Sequence, residues 1–341
     1  MIMRITELMD LAFSSINPTL LNNLHSCFDP LAKIRTLGIV EKRLYQLIGA
    51  AIILMLNACQ PGHGEREISR LEIIRVLPVE APYPLEPSGL ALHKGRLYTV
   101  ADKIDPIIFA IEPEDTVARL TEAIVFYLPE RGPMDWEGLT VDPDGTFYLI
   151  SEAKGRMLRV DPDGTASWAT GDLRPVGQSM GLFAKENAGF EGLTQLGPAH
   201  WLGAVEREPR GLVEWRQSGQ NLQVDAFVQN QSPFQHVLSF FRLADYSGLH
   251  FDGDRCYALF RNAHLVVALE KVNGQWREAE AWDYRHMETD PRYAYRNQTF
   301  GQAEGLVVSG KEVYLIFDNN RGPRMADSSD RRPLFVHARL P

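Results

Sequence analysis

The sequence is poor in cysteine and in long hydrophobic runs. Only three of its 341 residues are cysteines, so a small scaffold stapled by disulfides is excluded. One uninterrupted apolar stretch stands out, residues 47–56 (LIGAAIILML), and it is too short for a permanent membrane-spanning helix. The chain as a whole is 45% hydrophobic and 23% charged, which excludes global disorder and predicts a globular protein with a large core.

The chain also lacks an excess of positive charge and the common catalytic signatures. It has 35 Lys and Arg residues and 44 Asp and Glu residues. Five of the basic residues and four of the acidic residues precede residue 60. The remainder is therefore acidic by about ten charges, which argues against nucleic-acid binding and favours solubility or cation binding.

The sequence contains no HExxH, P-loop or dinucleotide-binding motif. Any chemistry must come from another arrangement of side chains.

The apolar stretch lies in a segment that is ordered like a bacterial lipoprotein signal. The basic pair Lys42-Arg43 precedes the stretch, and Leu56-Asn57-Ala58-Cys59 follows it like a lipobox. Residues 40–59 are thus predicted to be a signal peptide, and Cys59 is predicted to be acylated after cleavage. The alternative is a buried hydrophobic helix that happens to end in cysteine.

The first 39 residues are unusual ahead of such a signal, so we expect the natural start to lie near Val40 and residues 1–39 to be no part of the protein. The mature chain, 60–341, is then a single domain and a monomer. Its lipid anchors it to the outer membrane, facing the periplasm, since by resemblance to such lipoproteins Gln60 favours that destination. Cys256 is left without a disulfide partner, and its apolar surroundings predict a buried thiol.

Five repeats make up most of the mature chain, and each opens with a short motif that ends in Gly-Leu. The motifs are Pro87-Ser88-Gly89-Leu90, Trp136-Glu137-Gly138-Leu139, Phe190-Glu191-Gly192-Leu193, Tyr246-Ser247-Gly248-Leu249 and Ala303-Glu304-Gly305-Leu306. Their glycines lie 49, 54, 56 and 57 residues apart, a period that suits the four-stranded blades of a propeller. Turns such as Asp142-Pro143-Asp144-Gly145 are typical of hairpins between antiparallel strands.

The repeats predict an all-β propeller with five four-stranded blades. Outer strands are assigned to the first four repeats at 118–128, 166–170, 222–228 and 276–284, whereas the fifth repeat ends at 334–340 without one. The strand at 71–79 is free to complete that last blade and close the ring, which removes an exposed edge. Six blades are the alternative, if an insert at 172–188, 231–245 or 285–302 contains another.

Two positions of the repeat place side chains around the central channel, because the innermost strand of each blade lines it. The residues before Gly-Leu are Ser88, Glu137, Glu191, Ser247 and Glu304, and those after the second strand are Asp102, Glu152, Glu206, Arg261 and Asp318. Crowded carboxylates at a mouth of low dielectric constant must gain protons, pair with bases or bind a cation. An oxygen-only set of ligands favours Ca²⁺ or Mg²⁺ over Zn²⁺.

The sequence therefore predicts a site for Ca²⁺ or Mg²⁺ formed by Glu137, Glu191 and Glu304, with Asp102 and Asp318. The alternative is that the glutamates bind backbone amides of the neighbouring blade and lock the repeats together. Basic residues that accompany the rings suit an anionic phosphate or carboxylate ester, or they form salt bridges at the rim; they are Lys103, Lys154, Arg207, Arg261 and Arg321. The aromatic insert 287–300 either covers the channel mouth or packs on the rim.

Two stretches carry a resemblance to known families. They are Met134-Asp135-Trp136-Glu137-Gly138-Leu139, followed by DPDGTFYLISE, and Gly189-Phe190-Glu191-Gly192-Leu193, ending in Val205-Glu206-Arg207-Glu208. With them the chain resembles the phytase-like esterase propellers and the SdiA-regulated envelope proteins over most of residues 66–341. The resemblance implies calcium held by channel acids, at positions matching Glu137, Glu191, Glu304, Glu152 and Glu206, and hydrolysis of an ester. Ser88 and Ser247 depart from the acidic pattern of a site with several calcium ions.

The function that follows is a calcium-dependent esterase or phosphoesterase with a small anionic or ester substrate. Glu152 or Glu206 is expected to activate water, while Arg207 and Arg261 orient the anionic group. The alternative from another class is a non-catalytic calcium-binding propeller that serves as an interaction or scaffold module, because fold alone does not decide function.

Overall fold

The computed structural model describes residues 66–238, 243–296, 298 and 300–341. The expected signal peptide and Cys59 lie outside these residues. Helical structure is limited there to α1 (Arg174–Ser179), α2 (Arg285–Glu288) and two 3₁₀ turns, Gln235–Val237 and Arg261–Ala263. None of the helices in these ranges is long and apolar enough to cross a membrane.

The strands follow the repeats. Before the first motif come β1 (Ser69–Arg70) and β2 (Glu72–Glu80). The first repeat forms β3 (Pro87–His93), β4 (Arg96–Ala101), β5 (Ile107–Pro113) and β6 (Ala118–Val125), and the second forms β7 (Trp136–Val141), β8 (Phe147–Ser151), β9 (Arg156–Val160) and β10 (Ala166–Trp168). The third forms β11 (Phe190–Gly197), β12 (His200–Val205), β13 (Gly211–Ser218) and β14 (Asn221–Val228), and the fourth forms β15 (Gly248–Phe251), β16 (Cys256–Phe260), β17 (Leu265–Val272) and β18 (Gln275–Asp283). The fifth forms β19 (Ala303–Ser309), β20 (Glu312–Phe317) and β21 (Leu334–Arg339).

Within each repeat, consecutive strands pair antiparallel, which confirms the all-β prediction and its four-stranded sheets. The N-terminal strand β2 pairs antiparallel with β21, with Val76 opposite Val336. It also pairs parallel with β6 over two residues, Val79 opposite Ala118. The sheets of the first and fifth repeats are therefore continuous through β2, and the short strand β1 extends the fourth sheet along β18.

The core lies between consecutive sheets. Ile108 of the first repeat packs with Trp136 and Leu158 of the second in one buried cluster, and similar clusters lie between other neighbouring sheets. Burial of each large apolar side chain contributes roughly 1.5–3 kcal/mol, so the contacts between neighbouring sheets stabilise the fold. Cys256 is 2% exposed within such a cluster, which confirms the prediction of a buried thiol.

The motif glycines bring the inner strands into backbone contact. A Cβ on Gly138 would lie 2.6 Å from the backbone nitrogen of Leu193, and one on Gly89 would lie 2.9 Å from that of Leu139. The same holds from Gly192 to the fourth repeat, from Gly248 to the fifth, and from Gly305 back to the first. Only glycine allows this approach, so the repeated Gly-Leu brings the inner strand of each repeat against that of another.

Candidate functional site

Three of the predicted metal ligands are the extra residues of β-bulges. The register of β7 and β8 passes from Trp136–Ser151 to Gly138–Ile150 and leaves Glu137 without a partner residue. Glu191 in β11 and Glu304 in β19 are skipped in the same way. A bulge re-aims the extra side chain and often accompanies a functional site. In β3 the register skips Gly89.

The second predicted ring lies at the same end of the inner strands. Asp102, Glu152, Glu206, Arg261 and Asp318 each follow directly after the second strand of their repeat. In four of the five, the backbone N–H donates to a carbonyl just before the inner strand, for example from Glu152 to Asp135 over 2.9 Å and from Asp318 to Gln302 over 2.9 Å. The two rings therefore meet at one mouth. We call Asp102, Glu137, Glu152, Glu191, Glu206, Asp245, Arg261, Glu304 and Asp318 the acidic mouth.

The guanidinium of Arg261 lies among these acids and bonds three of them. Its Nη1 donates to Glu304 Oε1 over 2.6 Å, and its Nη2 donates to Glu206 Oε1 over 2.6 Å. Its Nε donates to Asp245 Oδ2 over 2.9 Å. Glu191 Oε2 is 3.8 Å from Nη1. One arginine thus joins acids of the third, fourth and fifth repeats, and binding a substrate anion would require it to exchange some of these partners.

Five acids of the mouth have a raised pKa and are more easily protonated than free side chains. Burial, reinforced by neighbouring carboxylates, raises the pKa of Glu137 well above its usual value. Burial also raises the pKa of Glu191 well above its usual value, against the opposing charge of Arg261. The same cause raises the pKa of Glu304 to about 8, and those of Asp102 and Asp318 to about 6. The mouth holds more negative charge than its own basic residues neutralise.

Several oxygens of the mouth also lack hydrogen bonds within the described chain. They belong to three different repeats and are buried: Asp102 Oδ1, Glu206 Oε2 and Glu304 Oε2. A buried acceptor without a partner costs about 1–3 kcal/mol. The donor chemistry, carboxylate oxygens only, is that of a hard divalent cation.

The positions of the acids suit metal binding less well than their oxygen ligands do. Within the described ranges, no group of three or more His, Cys, Asp or Glu side chains is arranged so that it could hold a metal ion. Arg261 lies between Glu304 and Glu191, two of the acids predicted as ligands. A cation would therefore require these side chains to move towards it, and the Ca²⁺ site stays a prediction.

Other polar residues of the rings connect neighbouring repeats. Ser88 Oγ donates to the carbonyl of Trp136, and Ser247 Oγ donates to that of Ala303 over 2.6 Å. Glu152 Oε1 accepts from the backbone N–H of Gly189 over 2.9 Å. The two serines and Glu152 therefore make the bonds between neighbouring repeats that the alternative assigns to the glutamates. Glu152 makes its bond through Oε1, and its other oxygen is the one available for the predicted activation of water.

The remaining basic residues form ion pairs around the mouth. Arg207 pairs with Glu206, and Lys103 pairs with Asp102. Lys154 lies 3.2 Å from Glu130, and Arg321 lies 2.9 Å from Glu86. These pairs match the alternative of rim salt bridges, whereas Arg261 extends into the centre of the acids.

The aromatic insert packs against the loop before β21. Tyr295 donates its hydroxyl to the carbonyl of Arg332 over 2.6 Å, and the backbone of Arg296 bonds Pro323 over 2.8 Å. This corresponds to the rim alternative for the described part of the insert. Glu288, at the end of α2, lies with a carboxylate oxygen 2.8 Å from His264 Nδ1, and it accepts from the backbone N–H of Gln302 over 2.9 Å.

Sequence reasoning missed Asp245 and His264. A signal for Asp245 was present, since Asp245-Tyr246-Ser247-Gly248-Leu249 aligns with Asp135-Trp136-Glu137-Gly138-Leu139. His264 had no such signal. It adopts the left-handed conformation (φ 59°) after a 3₁₀ turn, and its partner Glu288 comes from a different element.

Comparison with known proteins supports the fold. Residues 93–321 match the SdiA-regulated protein family. The structure is similar to Myxococcus xanthus glutaminyl cyclase, with a TM-score of 0.50 and 13% identity over 80% of this chain and 98% of that one. It is also similar to the aldose sugar dehydrogenase of Streptomyces coelicolor, with a TM-score of 0.43 and 12% identity over 79% and 97% of the two chains. No curated protein matches the sequence significantly. At these identities the structural likeness concerns the fold alone.

Proposed function

The chain belongs to the SdiA-regulated family of β-propeller proteins, and from this premise we propose that its acidic mouth binds a divalent cation, with Ca²⁺ the first candidate. The proposed activity is hydrolysis of a small carboxylate or phosphate ester. The propeller itself is proposed to have five blades, with β2 as the outer strand of the last. Support comes from the pairing of β2 with β21 and from the cyclic contacts of the five motif glycines.

One observation supports the proposal of cation binding: the mouth contains more acidic side chains than its basic residues can neutralise. Glu137, Glu191 and Glu304 are aimed by bulges, and their pKa values are raised by burial and mutual repulsion. Like charges held together in a site of low dielectric constant are neutralised either by protons or by a cation. Binding of a divalent ion would also provide partners for the buried oxygens of Asp102 and Glu304.

The proposal gives three roles to residues of the mouth. Glu137, Glu191, Glu304, Asp102 and Asp318 would hold the cation, which when bound polarises the ester oxygen and lowers the pKa of water. Arg261 fixes the carboxylates of Glu206 and Glu304. Glu206 is held by Arg261 and Arg207 through Oε1. Its buried Oε2, which has no hydrogen-bond partner among the described residues, is proposed to accept a proton from the attacking water.

The second candidate is a binding or scaffold propeller without catalysis. It is favoured by the saturation of Arg261, because a guanidinium that already bonds Glu206, Asp245 and Glu304 has little capacity for a substrate anion. The same acidic mouth would then bind a cation only for stability.

An activity screen separates these candidates. The mature chain is tested against p-nitrophenyl esters and phosphates with Ca²⁺, with Mg²⁺ and after chelation, together with Glu206→Gln and the exposed control Glu186→Gln. Hydrolysis that needs the cation and falls by about a hundredfold or more in Glu206→Gln, but not in Glu186→Gln, supports the enzyme. Cation-dependent stabilisation without turnover on any ester supports the scaffold.

The proposed location is the cell envelope, with a lipid on Cys59 as anchor. It depends on the order of basic pair, apolar stretch and lipobox in residues 40–59. Labelling of Cys59 tests it separately, as described in the Discussion.

A further inference from the structure

A cavity of about 340 Å³ lies beside the acidic mouth. Its lining includes His264, Glu288, Tyr295, Gln302 and Met325. Gln302 connects the two places, since its carbonyl accepts from the backbone of Asp318 and its own N–H donates to Glu288. The volume is at the lower end of the range for small-molecule sites.

The pairing of His264 with Glu288 determines which ring nitrogen of His264 does not bond Glu288. Glu288 accepts from Gln302 through Oε1 and contacts His264 Nδ1 through Oε2. An ionised carboxylate only accepts, so Nδ1 must carry the hydrogen. Nε2 is then the nitrogen that Glu288 does not engage, and in a neutral imidazole it is an acceptor.

Gln302 supplies a second acceptor. Its side chain is 3% exposed, and its Oε1 is buried without a hydrogen-bond partner in the ranges that the structure describes. Such an oxygen is costly to leave unpaired. Gln302 lines the cavity, and because its Oε1 is buried, a rotation of the amide would be needed to present this oxygen to a donor on a bound molecule.

The other side of the cavity is apolar. Tyr295 is 7% exposed, with the guanidinium of Arg324 over its ring, and Met325 is half exposed at the rim. A methionine adapts its shape to small apolar groups. The cavity thus combines two acceptors at one end with an apolar surface at the other.

We propose that this cavity binds a small primary amine with a short apolar body. A protonated amine has three donors, which suits the acceptors of His264 and Gln302. The carboxylate of Glu288 and the excess acid of the neighbouring mouth favour a positive charge over a neutral alcohol of the same shape. The inference does not depend on metal binding or on ester hydrolysis.

The test is calorimetric titration of n-butylamine into the mature protein, with 1-butanol as the uncharged match. We expect saturable binding of the amine and at least about tenfold weaker binding of the alcohol. His264→Asn and Gln302→Leu should each weaken amine binding by about tenfold, whereas Gln302→Glu, which keeps an acceptor oxygen, should preserve it. His337→Asn is the matched control, since His337 of β21 pairs with Glu312 of β20 and neither residue lines the cavity.

Four outcomes would overturn the proposal. The first three are equal affinity for amine and alcohol, no saturable amine binding at about 10 mM, and amine binding that persists in both His264→Asn and Gln302→Leu. Glu137→Gln distinguishes the cavity from the acidic mouth. Loss of amine binding in Glu137→Gln, with retention in folded His264→Asn, would place the amine in the mouth and also contradict the proposal.

Discussion

Arg261 donates to Glu304 over 2.6 Å although the two residues belong to different repeats and are 43 positions apart. Arg261 occupies the position at which the other four repeats have Asp102, Glu152, Glu206 and Asp318. One repeat has therefore exchanged its acid for a base, and this base neutralises acids of the third, fourth and fifth repeats. The acidic mouth is consequently one electrostatic unit.

Loss of Arg261 should destabilise the fold. Arg261→Ala leaves Glu206 and Asp245 without their shared counter-charge and Glu304 without its hydrogen-bond donor, and breaking a buried ion pair from one side costs about 3–5 kcal/mol. We expect this loss in the free energy of unfolding from urea titration followed by circular dichroism. Arg96→Ala removes an exposed pair with Glu112 and should cost less than about 1 kcal/mol. Equal losses in the two variants would show that Arg261 does not unite the mouth.

Glu304 should make the protein less stable as the pH rises. Its pKa is raised from 4.5 to about 8 by burial, so between these values the folded state keeps a proton that the unfolded state has released. The stabilisation is fully present below pH 4.5 and is lost as the pH rises through 8. In Glu304→Gln, the decrease of unfolding free energy between pH 5 and 8 should be smaller than in the wild type. The measurement is urea titration at several pH values without metal, with Glu186→Gln as control. An unchanged or steeper decrease in Glu304→Gln would contradict the raised pKa.

Gly138→Ala tests the contact between inner strands. A Cβ there would lie 2.6 Å from the backbone nitrogen of Leu193 and 2.7 Å from the carbonyl carbon of Gly192. Neither backbone atom can move without distorting its strand, so we expect the free energy of unfolding to fall by about 1–3 kcal/mol. Gly197→Ala is the control, because no atom lies within 4 Å of its Cβ position. A melting temperature of Gly138→Ala equal to that of the control would refute the close approach.

Lipid attachment is tested by metabolic labelling with palmitate in a bacterial host. The wild type should incorporate the label and sediment with membranes, because Cys59 follows a lipobox-like sequence. Cys59→Ala should lose the label and accumulate as a larger precursor. Cys256→Ala, which removes the buried thiol, should be labelled like the wild type. Labelling that is equal in Cys59→Ala would rule out acylation at this residue.

The sequence predicted those features that depend on the repeat period. The motif spacing located the inner strands of the repeats. The missing fourth strand of the last repeat predicted the pairing of β2 with β21. The sequence also placed Cys256 in the core, since its neighbours are apolar.

The partners within the site could not be predicted in this way. Which acid contacts Arg261 depends on side-chain rotamers and on bulges at Glu137, Glu191 and Glu304 that the period does not show. In the pair His264–Glu288, His264 has a left-handed backbone conformation, and Glu288 lies in the short helix α2 between the fourth and fifth repeats. Neither belongs to the repeat, so only the folded structure brings them together.

Calorimetric titration of Ca²⁺ at pH 7.5 into the wild type, Glu137→Gln, Glu304→Gln and their double variant tests the central claim most directly. If one cation binds at the mouth, each single change should weaken binding by about tenfold or more. The double variant should then lose less than the sum of the two free-energy costs, because ligands of one ion are coupled. Glu186→Gln should bind like the wild type. A wild type that takes up no Ca²⁺ at about millimolar concentration, or single variants that bind it unchanged, would contradict the account.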